Sequence, residues 1–269
     1  MSSTTDPFDH EFDADVLNRR YQLCRVGFFL LAAAALVRAV DVGLHIAMFM
    51  TMNGALLGVF EETWYLWVVR GAMVGAGLVG AYLLWGRWDH PKWTSRTGLL
   101  ITVGLVDLVL WVMECSDQGG QGAGLANDHH WVRLHLARAV SWAQLGLGVG
   151  LAAAFLDHLG HHREARSAER IYGFIVSGIA LWLLYFARQT GWSHGWPLQQ
   201  RRLDGLAIVL LLSYFLPLTL ASAQLMTLDL RCARESARLL DDWRRHLAQK
   251  GTELLKSRSE QDEFKDLFP

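Results

Sequence analysis

Six stretches of mostly apolar residues run through this chain, and they constrain its fold more than any other feature. They cover approximately residues 26–49, 63–85, 98–115, 132–157, 171–187 and 204–228. A helix needs about 20 apolar residues to cross the hydrocarbon core of a bilayer. Because the connections between the stretches are short, neighbouring helices are expected to run antiparallel. The sequence therefore predicts an all-α, polytopic membrane protein whose six transmembrane helices form three hairpins.

The composition of the chain agrees with a membrane location and argues against a nucleic-acid partner. Of its 269 residues, 52% are hydrophobic and 19% are charged, whereas a soluble domain carries about 25% charged residues. Twelve Trp and twelve Phe residues are typical of a protein with aromatic belts at both membrane interfaces. The net charge of −1 provides no strongly basic surface for nucleic acid. The lipid bilayer is the predicted partner.

Basic residues concentrate in every second connection, which indicates how the helices are oriented. One set of connections holds Arg19, Arg20, Arg25, Arg87, Lys92, Arg96, Arg163, Arg166 and Arg170, followed by a basic-rich tail from Arg231. The segments 50–62 and 116–131 on the other side contain neither Lys nor Arg, although the connection 188–203 contains three Arg residues. Lys and Arg favour cytoplasmic connections. We therefore expect a bacterial-type inner-membrane protein with both termini in the cytoplasm.

Three regions follow from this division of the chain. Residues 1–20 form an acidic segment that is expected to be flexible, residues 21–228 the transmembrane domain, and residues 229–269 a cytoplasmic helix and tail. One face of the tail helix carries Cys232, Leu239, Leu240, Trp243, Leu247 and Leu254. Such an amphipathic helix lies on lipid headgroups or docks on a protein partner; a solvated helix is the alternative. Helices five and six carry no charge in their interior and are expected to pack on the other helices or on a partner subunit.

Two parts of the chain match each other at an offset of roughly 67 residues, which indicates an internal repeat. The first contains Val40–Asp41, Trp64, Arg70 and Asp89–His90, and the second contains Val106–Asp107, Trp131, Arg138 and Asp157–His158. The predicted repeat units are about 26–97, 98–170 and 171–228, of which the third is degenerate. Because each unit starts on the same side of the membrane, the repeat is a parallel one.

Ionisable residues inside the apolar stretches are the strongest functional signal, since each costs roughly 2.5–3.5 kcal/mol to insert. The first four stretches contain Arg38, Asp41, His45, Arg70, Asp107, Glu114, His135 and Arg138. At a helical rise of about 1.5 Å per residue, all of these residues fall between the midplane and the outer face. The spacing of Arg38, Asp41 and His45 also places these three on one face of their helix.

Within each predicted hairpin an Asp and an Arg lie at nearly equal depth. We expect the ion pairs Asp41–Arg70 and Asp107–Arg138, and a cytoplasmic half of the bundle without buried charge. One interpretation is a non-enzymatic one: an outward-facing polar cavity in helices one to four binds or conducts a small ion or solute, as in a transporter or channel. The alternative is a subunit of a membrane complex, in which the ion pairs fix the register of the helices.

A third hypothesis is a metal-dependent redox enzyme with its ligands on the outer side. The candidate metal ligands are His45, His129, His130 and His135, and Met48-x-Met50-x-Met52 offers thioethers that suit copper. His45 and His135 are also the histidines that could ligate a haem. No hydrolase, P-loop or dinucleotide motif occurs in the sequence, and its three scattered cysteines form no metal motif. The sequence assigns no catalytic residue, and the leading expectation is that no cofactor is bound.

Overall fold

A computed structural model describes residues 13–51, 65–85, 91–118, 126–190 and 205–267, and all regular secondary structure in these ranges is helical. The helices are α1 (Asp13–Thr51), α2 (a π-helical turn Leu66–Arg70 and then Gly71–Leu84), α3 (Pro91–Gln118), α4 (Ala126–His158), α5 (His162–Thr190) and α6 (Gly205–Leu267). The all-α fold class is thus confirmed for the described ranges. α1 begins at Asp13, inside the segment predicted to be flexible, and residues 1–12 lie outside the described ranges.

Five of these helices are long and apolar enough to cross a membrane. Their apolar segments are Asn18–Ala47, Trp67–Leu84, Trp93–Met113, Leu136–His158 and His162–Ala187. Helices of this length and composition are those of an α-helical membrane protein. The sixth span at 204–228, the parallel repeat and the cytoplasmic location of both termini stay predictions.

Neighbouring helices run antiparallel, as the contacts at the two ends of α1 and α2 illustrate. Asp41 near the end of α1 meets Tyr65 at the start of α2, while Gly27 of α1 meets Gly80 near the end of α2. The same alternation holds for α2 and α3, where Gly71 meets Trp111 and Gly104 meets Leu78. It also holds for α3 and α4, where Asp107 meets Gln144 and Arg96 meets Gly150. We call the end at which α1 and α3 finish the outer end, and the end at which α3 and α5 begin the inner end.

α6 occupies the centre of the bundle, where it packs against α1, α4 and α5. Its buried residues include Tyr214, Phe215, Leu218 and Ala221. α5 lies at the side of the bundle and exposes Tyr172, Val176, Leu183 and Leu184. The lack of charged residues in the interior of the predicted spans 171–187 and 204–228 therefore has a different origin in each helix. In α6 small and apolar side chains fill the core, whereas in α5 the apolar side chains suit contact with lipid tails.

Close contacts between helices depend on glycine, as Gly80 and Gly178 illustrate. A Cβ atom on Gly80 would lie 2.8 Å from the carbonyl oxygen of Gly27, so α1 and α2 approach each other backbone to backbone. A Cβ atom on Gly178 would lie 2.2 Å from the indole ring of Trp142, which rests on α5 at this point. Small residues permit such approaches between membrane helices.

α6 is much longer than a membrane is thick. Its 63 residues correspond to about 95 Å of helix, against roughly 30 Å for the hydrocarbon core. Most side chains in the range 241–249 are exposed, so this part of α6 extends beyond the bundle. Pro217 lies inside the helix, where its ring deprives the carbonyl group of Ser213 of the usual amide donor.

Candidate functional site

Four polar side chains form a network that joins the first four helices. Asp107 of α3 accepts a 3.0 Å hydrogen bond from the side-chain amide of Gln144 on α4. Arg70 of α2 approaches the same carboxylate, with 3.9 Å between Nη2 and Oδ1. Arg38 of α1 donates to Oε1 of Gln144 and, over 3.4 Å, to the carbonyl oxygen of Ser141. We call Arg38, Arg70, Asp107 and Gln144 the arginine–aspartate network.

The arginine–aspartate network is withdrawn from the surface. Only 1% of Asp107 and 8% of Arg38 are exposed. A carboxylate removed from water needs partners for its oxygens, and Arg70 and Gln144 supply them. Gln144 acts as a bridge, because its amide donates to Asp107 while its oxygen accepts from Arg38. Loss of Gln144 would therefore remove one hydrogen bond from Asp107 and one from Arg38.

The observed ion pair differs from those that the sequence predicts. Arg70 pairs with Asp107, and Arg138 lies over the ring of Phe215. The predicted pairs Asp41–Arg70 and Asp107–Arg138 are therefore wrong. Equal depth identified the side chains that lie in one layer of the bundle, but it did not determine which neighbouring helix each of them faces.

The start of α2 explains this difference. Its first turn, Leu66–Arg70, is π-helical, and the wider turn changes the direction of the last side chain relative to a regular α-helix. A Cβ atom on the next residue, Gly71, would lie 2.9 Å from the Trp111 ring. The absence of a side chain at Gly71 thus lets α2 lie against α3, and Arg70 faces Asp107.

Asp41 belongs to a second polar cluster, which α1 and α2 share. The hydroxyl of Tyr65 donates to its Oδ1 over 2.5 Å. Nδ1 of His45 lies 3.6 Å from the same oxygen and 2.8 Å from the carbonyl oxygen of Asp41. The prediction that Asp41 and His45 share a helix face is confirmed. If Nδ1 of His45 carries the proton that this carbonyl accepts, Nε2 is an acceptor.

Arg138 has no carboxylate within ion-pairing distance among the described side chains. Its guanidinium carbon lies 5.2 Å from the centroid of the Phe215 ring on α6, and the hydroxyl of Tyr214 is close by. A cation over an aromatic face gains about 2 kcal/mol when desolvated, less than the cost of removing it from water. Since Arg138 lies within the apolar segment Leu136–His158, it is a cation that its described neighbours do not neutralise.

The remaining predicted site residues lie on described helices, but their side chains are outside the described part of the structure. They are Glu114 on α3 and His129, His130 and His135 on α4. The same holds for Met48 and Met50, and Met52 is outside the described ranges altogether. Among the described residues, no group of three or more His, Cys, Asp or Glu side chains is arranged to hold a metal ion. The copper and haem hypotheses stay predictions.

Gln144 and Tyr65 are site residues that the sequence analysis missed. A charge was the criterion for a candidate residue, and neither side chain is charged. The signal for Gln144 was available, because an amide in the middle of an apolar span needs a hydrogen-bonding partner as an ionised group does. Tyr65 resembles the interfacial aromatic residues of many membrane helices, and only its contact with Asp41 distinguishes it.

A buried carboxyl on α6 contradicts the expectation that the inner half of the bundle lacks buried charge. Asp229 is fully buried, and neither of its oxygens accepts a hydrogen bond from a described residue. The ring centroids of His45 on α1 and Phe215 on α6 are 6.0 Å apart, so these two residues lie at the same level of the bundle. The level of Asp229 can therefore be compared with that of Arg38. Counted along the helices from that contact, Asp229 lies about 10 Å nearer the inner end than Arg38. The predicted span ended one residue before Asp229, so this charge was assigned to the cytoplasmic tail.

A cavity of about 40 Å³ extends from the arginine–aspartate network to Asp229. Arg38 and Gln144 line it together with Asp229. The rest of its wall is apolar and comes from α1, α2, α3, α4 and α6. The polar groups of this cavity therefore face one another within a water-poor surrounding.

A wider cleft of about 680 Å³ opens at the inner end between α3, α4 and α5. Its charged lining consists of Arg96, Asp157, His158, His162, Arg166 and Glu169. Nδ1 of His162 lies 2.7 Å from Oδ1 of Asp157, and Arg96 donates to the carbonyl oxygen of Gly150 over 2.7 Å. Because cations and anions are mixed along its wall, the cleft favours no single class of ligand.

Neither a protein-family model, nor a curated protein, nor a solved structure matches this chain. Functional conclusions therefore rest on the residues of the site itself.

Proposed function

We propose that the protein binds a small anion, or the anionic group of a small solute, inside the membrane near the outer end of the bundle. Arg138 supports this proposal most directly, because it is a guanidinium within an apolar span that no described carboxylate neutralises. The ligand would lie beside Phe215, between α4 and α6. Such a site suits a transporter or channel of an inner membrane with both termini in the cytoplasm.

The charges near the outer end support an anion rather than a cation as the ligand. Among the described side chains of this region, three guanidinium groups (Arg38, Arg70 and Arg138) accompany the two carboxylates Asp41 and Asp107. Both carboxylates already have close partners. In a medium of low dielectric constant an added negative charge is strongly attracted to the remaining cation. A guanidinium also presents paired N–H donors that fit the oxygens of carboxylate or phosphate.

Thermal unfolding of the purified protein tests this proposal. The protein in detergent is titrated with sodium acetate, nitrate or phosphate, while sodium gluconate keeps the ionic strength constant. A ligand that binds only the folded state stabilises it by about 2.7 kcal/mol at one hundred times its Kd. We expect at least one of the three anions to raise the unfolding midpoint in a saturable manner. Uptake of that anion into proteoliposomes then separates transport from binding.

Three variants make the test specific to Arg138. Arg138→Gln is expected to abolish the anion-dependent rise of the midpoint, whereas Arg138→Lys retains part of it because the charge remains. Arg234→Gln is the control, since Arg234 is exposed on α6 beyond the predicted span, and it should respond like the wild type. Equal responses of the wild type and Arg138→Gln to all three anions contradict the proposal.

A second candidate function is that of a subunit in a membrane complex, and the length of α6 favours it. In that case the arginine–aspartate network fixes the register of the helices, and the exposed part of α6 after residue 240 binds a membrane or cytoplasmic partner. The protein extracted from its native membrane should then run with one partner of fixed stoichiometry. A chain shortened after Leu240 should run alone, with its helix content otherwise intact. A full-length chain of monomeric mass contradicts this function.

A further inference from the structure

We propose that Asp229 is a proton-binding site: a carboxyl group that holds its proton in the folded protein and exchanges it through water in the cavity shared with Arg38. The exchange moves a proton from the carboxyl oxygen to a water oxygen and leaves a carboxylate, and the reverse step restores the acid. No bond between heavy atoms changes.

The surroundings of Asp229 favour the neutral acid. The residue is fully buried, and neither carboxyl oxygen accepts a hydrogen bond from a described side chain or backbone group. An ionised carboxylate without donors or a counter-ion is very costly to bury, and such a group takes up a proton instead. Asp107 in the same bundle differs from Asp229, because it has a nearby cation in Arg70 and accepts a hydrogen bond from Gln144.

No described cation pairs with Asp229. From α1, Arg38 lines the same cavity, but it donates to Gln144 and Ser141 and lies about 10 Å nearer the outer end. The cavity lining from α2, α3 and α4 contains no ionisable residue. On α6 itself, the buried thiol of Cys232 cannot offset a negative charge, and Arg231 is exposed and pairs with Glu164 on α5 over 3.2 Å. The proton is therefore the cation that neutralises Asp229.

The cavity beside Asp229 has room for the water that would exchange the proton. Its volume of about 40 Å³ accommodates about three water molecules, since each occupies roughly 10–15 Å³ measured in this way. A buried water needs two to four polar partners, and both oxygens of Asp229 and Nε of Arg38 are buried atoms without one among the described residues. Water in the cavity would satisfy these atoms and give the proton a route toward Gln144 and the arginine–aspartate network.

Proton binding at Asp229 also predicts coupling to the outer site, a step that rests on the proposed function. An anion held near Arg138 adds negative charge to the same low-dielectric bundle, which favours the protonated form of Asp229. Because linkage is reciprocal, protonation of Asp229 strengthens the binding of the anion. The substrate class would then be an anion that binds together with a proton.

Infrared spectroscopy of the protein in lipid bilayers tests the proton site directly. At neutral pH the spectrum should contain the carbonyl stretch of a protonated carboxyl that Asp229→Asn lacks. Asp229→Glu should restore such a band at a shifted frequency. Asp157→Asn is the control, since Asp157 is exposed at the inner end, and it should leave the band unchanged.

The outcomes separate the two proposals. Identical carbonyl bands in the wild type and Asp229→Asn, with helix content retained in both, overturn the proton site. If the band is lost in Asp229→Asn but no anion binds to the wild type, the proton site holds and the anion function fails. If an anion binds, its Kd should increase with pH in the wild type and change less in Asp229→Asn. Equal pH dependence in both proteins overturns the coupling.

Discussion

Arg70 on α2 lies 3.9 Å from Asp107 on α3, and this ion pair joins the first predicted hairpin to the second. A pair within one hairpin would hold only two helices. Through Gln144 the contact extends to Arg38 on α1, so one layer of side chains connects four helices. Buried ion pairs of this kind specify rotation and register, and the removal of one partner is costly.

Asp107→Asn is expected to destabilise the protein, because the amide keeps the volume of the side chain but removes the buried negative charge that faces Arg70. Asp107 is 1% exposed, and removing one partner of a buried pair costs about 3 kcal/mol. Unfolding in detergent, followed by circular dichroism, measures the loss. Asp157→Asn, at a side chain that is 64% exposed, should change stability little. Equal midpoints for both variants would show that the network contributes no stability.

Substitution by alanine should change the stability in opposite directions at two glycines of α2, Gly80 and Gly75. Gly80→Ala places a methyl group 2.8 Å from the carbonyl oxygen of Gly27, and such overpacking costs about 2 kcal/mol. Gly75→Ala meets nothing within 4 Å and should stabilise the helix by up to about 1 kcal/mol. Thermal unfolding of the two variants under the same conditions makes the comparison. A change of the same sign in both would contradict the close approach of α1 and α2.

Tyr65→Phe removes the hydroxyl that donates to Asp41. Hydrogen bonds to charged groups contribute about 1.5 kcal/mol, so the free energy of unfolding should fall by about that amount. Tyr82→Phe is the matched control on the same helix, since Tyr82 is 61% exposed and should tolerate the change. If both variants unfold like the wild type, the hydroxyl of Tyr65 is not a partner of Asp41 in the membrane.

Cysteine labelling tests the predicted orientation against a low background. Cys24, Cys115 and Cys232 are all buried, so the wild-type protein should react slowly with a membrane-impermeant maleimide. Ser116 near the outer end and Ser167 near the inner end are both exposed. In intact cells the reagent should label Ser116→Cys and not Ser167→Cys, which reacts only after the cells are opened. The opposite result would place both termini outside the cytoplasm.

The sequence predicted the helices well and the contacts between them poorly. Apolar length depends on the chain alone, so five of the predicted spans agree with apolar helices of the structure. The pairing of Arg70 depended on a π-helical turn, and no periodicity rule reveals such a turn. Asp229 was missed for another reason. The apolar stretch ends where Asp229 and Arg231 begin a highly charged segment, so the sequence places this carboxyl outside the membrane segment although neighbouring helices bury it.

Because α6 continues far beyond Pro217, a small change of helix direction at this proline would move the end of α6 by a large distance. About 50 residues follow Pro217, and they reach about 75 Å from it. A tilt of about 5° at the proline would therefore move the far end of the helix by about 6 Å. Phe215, the residue over which Arg138 lies, is two positions before this pivot. A change of helix direction near that guanidinium would thus displace the C-terminal end of α6 by several ångströms.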